Sequence, residues 1–236
     1  MSKWEIRAKE PFADPTRLTK WPVWSLVALA ALSVVAVGSD ILERDFLLQA
    51  GQLASQEDLE AAGAANDFRQ FIVGVAQFAV FAISAVLSLR WIYRANLNAW
   101  RLGAEGMQYS PGWAIGYFFI PILNLWKPYQ AFKEIWRASA NPKHWKSVTA
   151  TALLPAWWTL LLVSGYLSQA ALRIGVRAED LPTSMLANVL SLASDVAEIP
   201  LDVVFILLIR QVYRMQMERS TGGSAADIRD PAIASA

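Results

Sequence analysis

Six polar residues near the C-terminal end carry the most specific chemical pattern in the chain. Ser184, Asn188, Ser191, Asp195, Glu198 and Asp202 follow one another at steps of 4, 3, 4, 3 and 4. On a helix turning about 100° per residue they fall within an arc of about 80°. Their neighbours are mostly apolar, so the pattern is a polar stripe along an apolar rod. If that rod crosses a membrane, Glu198 falls near its middle. An acid there costs ~2.5–3.5 kcal/mol on insertion scales, and such groups face a bundle interior or a water-filled cavity. Three carboxylates on one face repel one another, and no Lys or Arg lies within any other span. Either a proton stays on the group or a cation sits among it. Pro200, between Glu198 and Asp202, frees the carbonyl of Val196. The chemical reading is a proton or cation pathway through Asn188, Ser191, Asp195, Glu198 and Asp202. The structural reading is polar glue between helices, with Gln70, Gln77, Ser84 and Ser88 recurring on one face of another span to meet the stripe.

A second pattern lies between residues 91 and 139. Trp91, Tyr93, Arg94, Asn96, Asn98 and Trp100 make an aromatic and basic helix end, and Gly103 and Gly106 break it. Ser110-Pro111-Gly112-Trp113 starts a new element with proline at its first helical position. Further on, Tyr129, Phe132, Ile135 and Trp136 share one helix face, and Lys133, Glu134 and Arg137 the other. That is the pattern of an interfacial amphipathic helix. Arg94, Arg101, Trp126, Lys127, Lys133 and Arg137 could bind an anionic lipid headgroup or another membrane protein. The plainer reading is that aromatic and basic residues mark the membrane–water boundary.

The elements that hold these residues must be membrane helices. The 236 residues are 55% hydrophobic and 17% charged, with a mean hydropathy of +0.31. The charges leave Trp21 to Ser39, Gln70 to Leu89 and Ser147 to Leu172 free of any. A fourth apolar stretch runs between Asp180 and Arg210 and carries the stripe. About 20 apolar residues of helix cross a bilayer. The 113–126 stretch is short and broken by Gly116 and Pro121. With four spans and the N-terminus inside, 17 of the 21 Lys and Arg are cytoplasmic, leaving Arg44, Arg69, Arg173 and Arg177 outside. A fifth span makes the split nearly even, so the positive-inside rule selects four. The first span reads as a retained anchor rather than a cleaved signal, because its apolar run is long. The stretch Asp40 to Asp67 holds seven acids against Arg44 alone. It reads as a solvated outer loop, helical in part, or alternatively as a vestibule that attracts cations.

Other chemistry is excluded or unsupported. There is no cysteine, so disulfides and thiolate metal sites are impossible. His144 is the only histidine, and a net charge of +1 does not favour nucleic acid. The chain has no HExxH, GxSxG, P-loop or GxGxxG pattern. A lipid-modifying membrane enzyme is the weakest of the functional readings.

The motifs of the second pattern resemble a known family. Trp91-Ile92-Tyr93-Arg94-Ala95-Asn96, Leu102-Gly103-Ala104, Tyr109 through Gly116, and Phe119 through Gln130 are similar to the bacterial membrane family called domain of unknown function 4328. Glu134 through Ser139 looks like its continuation, and Arg210-Gln211-Val212 with Arg214 is similar to its basic C-terminal end. The resemblance covers about residues 70 to 219. It implies a multi-pass bacterial membrane protein, and it implies no activity.

The expected fold is therefore all-α: an integral membrane four-helix bundle with a cytoplasmic-side re-entrant or interfacial helical hairpin. Residues 1–20 form a basic cytoplasmic segment and 21–219 the transmembrane domain. Its spans lie at about 21–41, 69–91, 148–171 and 185–209, the hairpin covers 111–139, and a disordered tail covers 220–236. The expected place is the bacterial inner membrane, N-in and C-in, with no cofactor. The leading functional reading is an accessory or scaffold subunit that docks a partner or lipids through its aromatic, basic face. The alternative is the acidic pathway.

Overall fold

The computed structural model describes residues 3–49 and 56–227. Among the described residues the chain is all-helical, with no strand. The elements are α1 (Lys3–Ala8), α2 (Thr16–Gln49), α3 (Gln56–Arg101), α4 (Pro111–Gly116), α5 (Lys127–Ala140), α6 (Leu153–Gly175) and α7 (Leu181–Asp227). Two short 3-10 turns, Tyr117–Phe119 and Leu123–Leu125, join α4 to α5.

Local chemistry sets the helix starts. Asp14 Oδ1 accepts the Thr16 amide at 2.8 Å ahead of α2, and these bonds to Thr16 hold the Asp14 carboxyl below its usual range. Ser110 caps α4 with Pro111 at the first position. Asp180 caps α7 by accepting the Thr183 amide at 2.8 Å. Pro22 and Pro200 lie inside α2 and α7, and both helices continue through them.

Two helical segments, Thr16–Gln49 and Leu59–Arg101, are long and apolar enough to cross a membrane. The second is largely exposed along that stretch. Its most apolar window is only 11% buried, and Phe71, Phe78, Phe81 and Val86 lie on its surface. In water, that much contiguous exposed apolar area is a liability.

The chain divides into two compact units. The first comprises Met1–Val23, Val86–Pro155 and Ile206–Ala236. Its core is aromatic and aliphatic: Trp91, Ile92, Phe132, Ile135, Leu208, Ile209 and Val212 are all buried. Trp91 donates to Thr19 Oγ1 at 3.0 Å, and its ring lies 6.2 Å from that of Phe132. Gln216 Nε2 donates to the Ala95 carbonyl at 2.8 Å and to Ser139 Oγ at 2.9 Å, tying α7 to α3 and α5. The second unit comprises Trp24–Ala85 and Ala156–Phe205. There Trp157 stacks on Phe205 at 5.0 Å, and Ser194 Oγ donates to the Ser164 carbonyl at 3.0 Å.

Several sequence expectations change here. The acidic stretch after the first apolar segment is helical from 40 to 49 and again from 56, as parts of α2 and α3; 50–55 lie outside the described residues. The tail expected from 220 is helical as far as Asp227, and 228–236 lie outside the described residues. The apolar face of α5 is not free for an interface: Ala131, Phe132, Ile135 and Ala138 are buried in the first unit's core. Glu134 does not share the outer face with Lys133 and Arg137. It turns inward and is buried, because backbone amides wait for it there.

Candidate functional site

The second unit brings the acidic stripe of α7 against polar residues of α2 and α3. Gln77 Nε2 donates to Asp195 Oδ1 at 3.0 Å. Ser33 Oγ lies 3.0 Å from Glu198 Oε2 and donates to it. Asn188 Nδ2 donates to the Asp40 carbonyl at 2.9 Å and to Glu43 Oε2 at 2.8 Å. Gln70 Nε2 donates to the same Glu43 oxygen at 2.9 Å, and more weakly to Asp40 Oδ1 at 3.4 Å. Arg69 does not reach these acids; its guanidinium holds Ser39 and Asn66.

Asp195, Glu198 and Asp202 follow one another at steps of 3 and 4 on α7, and Asp40 lies in the same unit on α2. Glu198 lies close enough to Asp195 and to Asp202 for their charges to interact. The four acids Asp40, Asp195, Glu198 and Asp202 all belong to the second unit. Among the described residues none of the four is in an ion pair. Asp40 Oδ2, Asn188 Oδ1, Asp202 Oδ2 and Ser84 Oγ are buried without a protein partner. Buried polar atoms of that kind are where ordered water binds.

Asn188, Asp195 and Asp202 of the predicted stripe are thus buried, while Glu198 and Ser191 are half-buried. Ser184 bonds back to the Asp180 carbonyl in its own first turn and takes no part in the line. Among the described residues no group of three or more His, Asp or Glu is placed to hold a metal ion.

Sequence reasoning overlooked Ser33, Asp40 and Glu43 as site residues. A signal was present: Leu29, Ser33, Ala36, Asp40 and Glu43 repeat the same steps of 4, 3, 4 and 3 as the α7 stripe. Leu29, Ser33, Ala36 and Asp40 are all buried.

The basic set of the first unit is only partly available. Arg101 is nearly enclosed and pairs with Glu10, so it is committed within the protein. Lys127 sits over the Tyr109 ring at 5.6 Å and Lys133 over the Tyr129 ring at 5.7 Å. Arg94 and Arg137 are half-buried, and Trp126 is exposed. Glu134 organises the loop ahead of α4, its two oxygens accepting the amides of Gln108 and Tyr109, each at 3.0 Å. Burial pushes its carboxyl above the usual range, and the two amides and nearby Lys146 pull it part of the way back.

The family model described as Domain of unknown function (DUF4328) matches residues 55–214. That match includes Gln77, the α7 acids and the whole aromatic, basic block, and it leaves out Ser33, Asp40 and Glu43 of α2. No curated protein and no solved structure matches the chain.

Proposed function

This chain belongs to the family of the domain of unknown function 4328, and we propose that it is a four-span bacterial inner-membrane protein whose buried acids carry protons. In this reading α2, α3, α6 and α7 are the spans, with both termini cytoplasmic. The distribution of Lys and Arg supports that sidedness. The apolar surface of α3 supports lipid as its solvent.

The observation that supports the reading is that Asp40, Asp195 and Asp202 are buried, with Glu198 half-buried between the two on α7, and that none of the four is in an ion pair among the described residues. The unpartnered Asp202 and Asn188 oxygens offer positions for water between the acids. A proton then moves from carboxyl to carboxyl through hydrogen bonds that reverse direction as it passes.

Reconstitution into liposomes with an internal pH dye tests this. The wild type is expected to dissipate an imposed pH gradient. Asp195→Asn is expected to abolish that flux, because an amide still accepts from Gln77 but releases no proton. Glu198→Gln should act likewise. No flux in the wild type, or equal flux in all three proteins, overturns the pathway.

A second reading, an accessory subunit docking a membrane partner, is favoured by one feature. Trp126, Gln130, Lys133 and Arg137 recur at steps of 4, 3 and 4 on the outer side of α5. Co-purification of a membrane protein that is lost in Lys133→Glu with Arg137→Glu supports docking. Unchanged co-purification removes it.

A further inference from the structure

We propose that the turn between α4 and α5 is a lipid wedge, with Phe119 and Ile122 entering an anionic leaflet and Lys127, Lys133 and Arg137 forming its collar. The inference rests on the membrane assignment but not on the proton pathway.

Three observations within the first unit lead to it. The first is where the apolar surface lies. The α5 apolar face is enclosed, so what this region presents outward is Trp113, Phe119, Ile122, Leu125 and Trp126. Phe119 and Ile122 are 73% and 70% exposed.

The second is the backbone. Ile122 has φ 70° and ψ −54°, and the Leu123 amide donates to the Pro121 carbonyl at 2.8 Å. This is a γ-turn of the positive-φ kind, which is rare and strained, here centred on a β-branched residue. It folds the chain back sharply and leaves Ile122 at the apex. Asn124, Leu125 and Trp126 also donate their amides to carbonyls three or four residues back. Pro121 has no amide to satisfy. The apex therefore brings few unpaired donors with it, which is the condition for backbone to approach hydrocarbon.

The third is charge. Lys127 follows directly, and Lys133 and Arg137, both half-buried, come further along α5, four residues apart. Glu134, the acid within α5, is taken inward by the amides of Gln108 and Tyr109. A hydrophobic apex beneath a cationic collar is complementary to acyl chains beneath anionic phosphates. Asn124, exposed beside the apex, limits the depth to the headgroup–acyl boundary.

The absence of cysteine makes the test direct. Single variants Ile122→Cys, Phe119→Cys, Gln108→Cys and Phe78→Cys are labelled with an environment-sensitive fluorophore. They are reconstituted in vesicles of phosphatidylglycerol with phosphatidylcholine, and in phosphatidylcholine alone. Labels at 122 and 119 are expected to shift to the blue and be quenched by doxyl-labelled lipids, and the label at 108 to do neither. Lys127→Gln with Lys133→Gln should reduce the quenching at 122 in the anionic vesicles. The label at 78 reports the membrane assignment itself. Quenching at 78 with none at 122 and 119 overturns the wedge while leaving the spans intact. A blue-shifted label at 122 that lipid quenchers cannot reach means a protein partner or a second copy covers the apex, and it also overturns the wedge. If Ile122→Cys fails to fold, Phe119→Cys decides alone.

Discussion

Gln77 and Asp195, 118 residues apart, meet through a hydrogen bond from Nε2 to Oδ1 at 3.0 Å. The contact makes opposite demands on the two partners. Asp195→Asn keeps an acceptor for Gln77. Gln77→Leu removes the donor and leaves a buried carboxyl oxygen with nothing to accept from. Orphaning a buried polar group costs roughly 1–3 kcal/mol, and single hydrogen bonds between membrane helices average about 0.6 kcal/mol. Gln77→Leu is therefore expected to lower the melting temperature in detergent more than Asp195→Asn does. The reverse order would mean that the acid, not the glutamine, holds the helices together, and that its role is structural.

How much of this was readable in advance differs from one residue to the next. The α7 stripe was legible because polar residues at steps of 3 and 4 stand out against an apolar background. Asp40 and Glu43 obey the same spacing on α2 but were absorbed into a run of seven acids, which reads as solvated loop. Only the continuation of α2 to Gln49 makes that spacing meaningful. Glu134 sits at the edge of the α5 apolar arc, and what draws it inward is a pair of amides 25 and 26 residues away. Arg101 finds Glu10 across 91 residues, a pairing without local signature. Ile122 is the clearest case: positive φ is ordinarily announced by Gly or Asn, and a β-branched residue there announces nothing.

Glu134 gives a pH dependence with a definite sign. Its carboxyl is raised above the ordinary 4.5 in the folded chain, mainly by burial. The folded state therefore holds this proton more tightly than the unfolded state does. Its contribution to stability is fullest below about pH 4.5 and declines as pH rises through the raised value. Glu134→Gln should flatten that slope. Above it, the substitution sets an NH2 against one of the two amides, so part of the loop's anchorage is lost. Glu134→Leu orphans both amides and should cost more, about 1–3 kcal/mol for each. Melting curves in detergent from acid to neutral pH distinguish the three proteins. An unchanged slope in Glu134→Gln would assign the pH dependence to another group.

The Arg101–Glu10 pair ties the N-terminal segment to the end of α3, and it predicts both a stability change and a sidedness. The Arg101 side chain is 4% exposed, whereas that of Glu10 is 54% exposed. Removing one partner of a fully buried pair costs about 3–5 kcal/mol, but here water screens Glu10, so a smaller loss is expected. The segment has two further ties: Asn98 Nδ2 donates to the Ala13 carbonyl at 2.9 Å, and the Thr16 and Tyr213 hydroxyls lie 2.9 Å apart. Arg101→Met should therefore loosen residues 9–14 without unfolding α2. Limited trypsin digestion reads this as faster cleavage after Lys9 in the variant, with cleavage elsewhere unchanged. Performed on inside-out and right-side-out vesicles, the same digestion tests the N-in assignment. Cleavage confined to inside-out vesicles agrees with it, and cleavage confined to right-side-out vesicles inverts the topology and places the aromatic, basic block on the outer face.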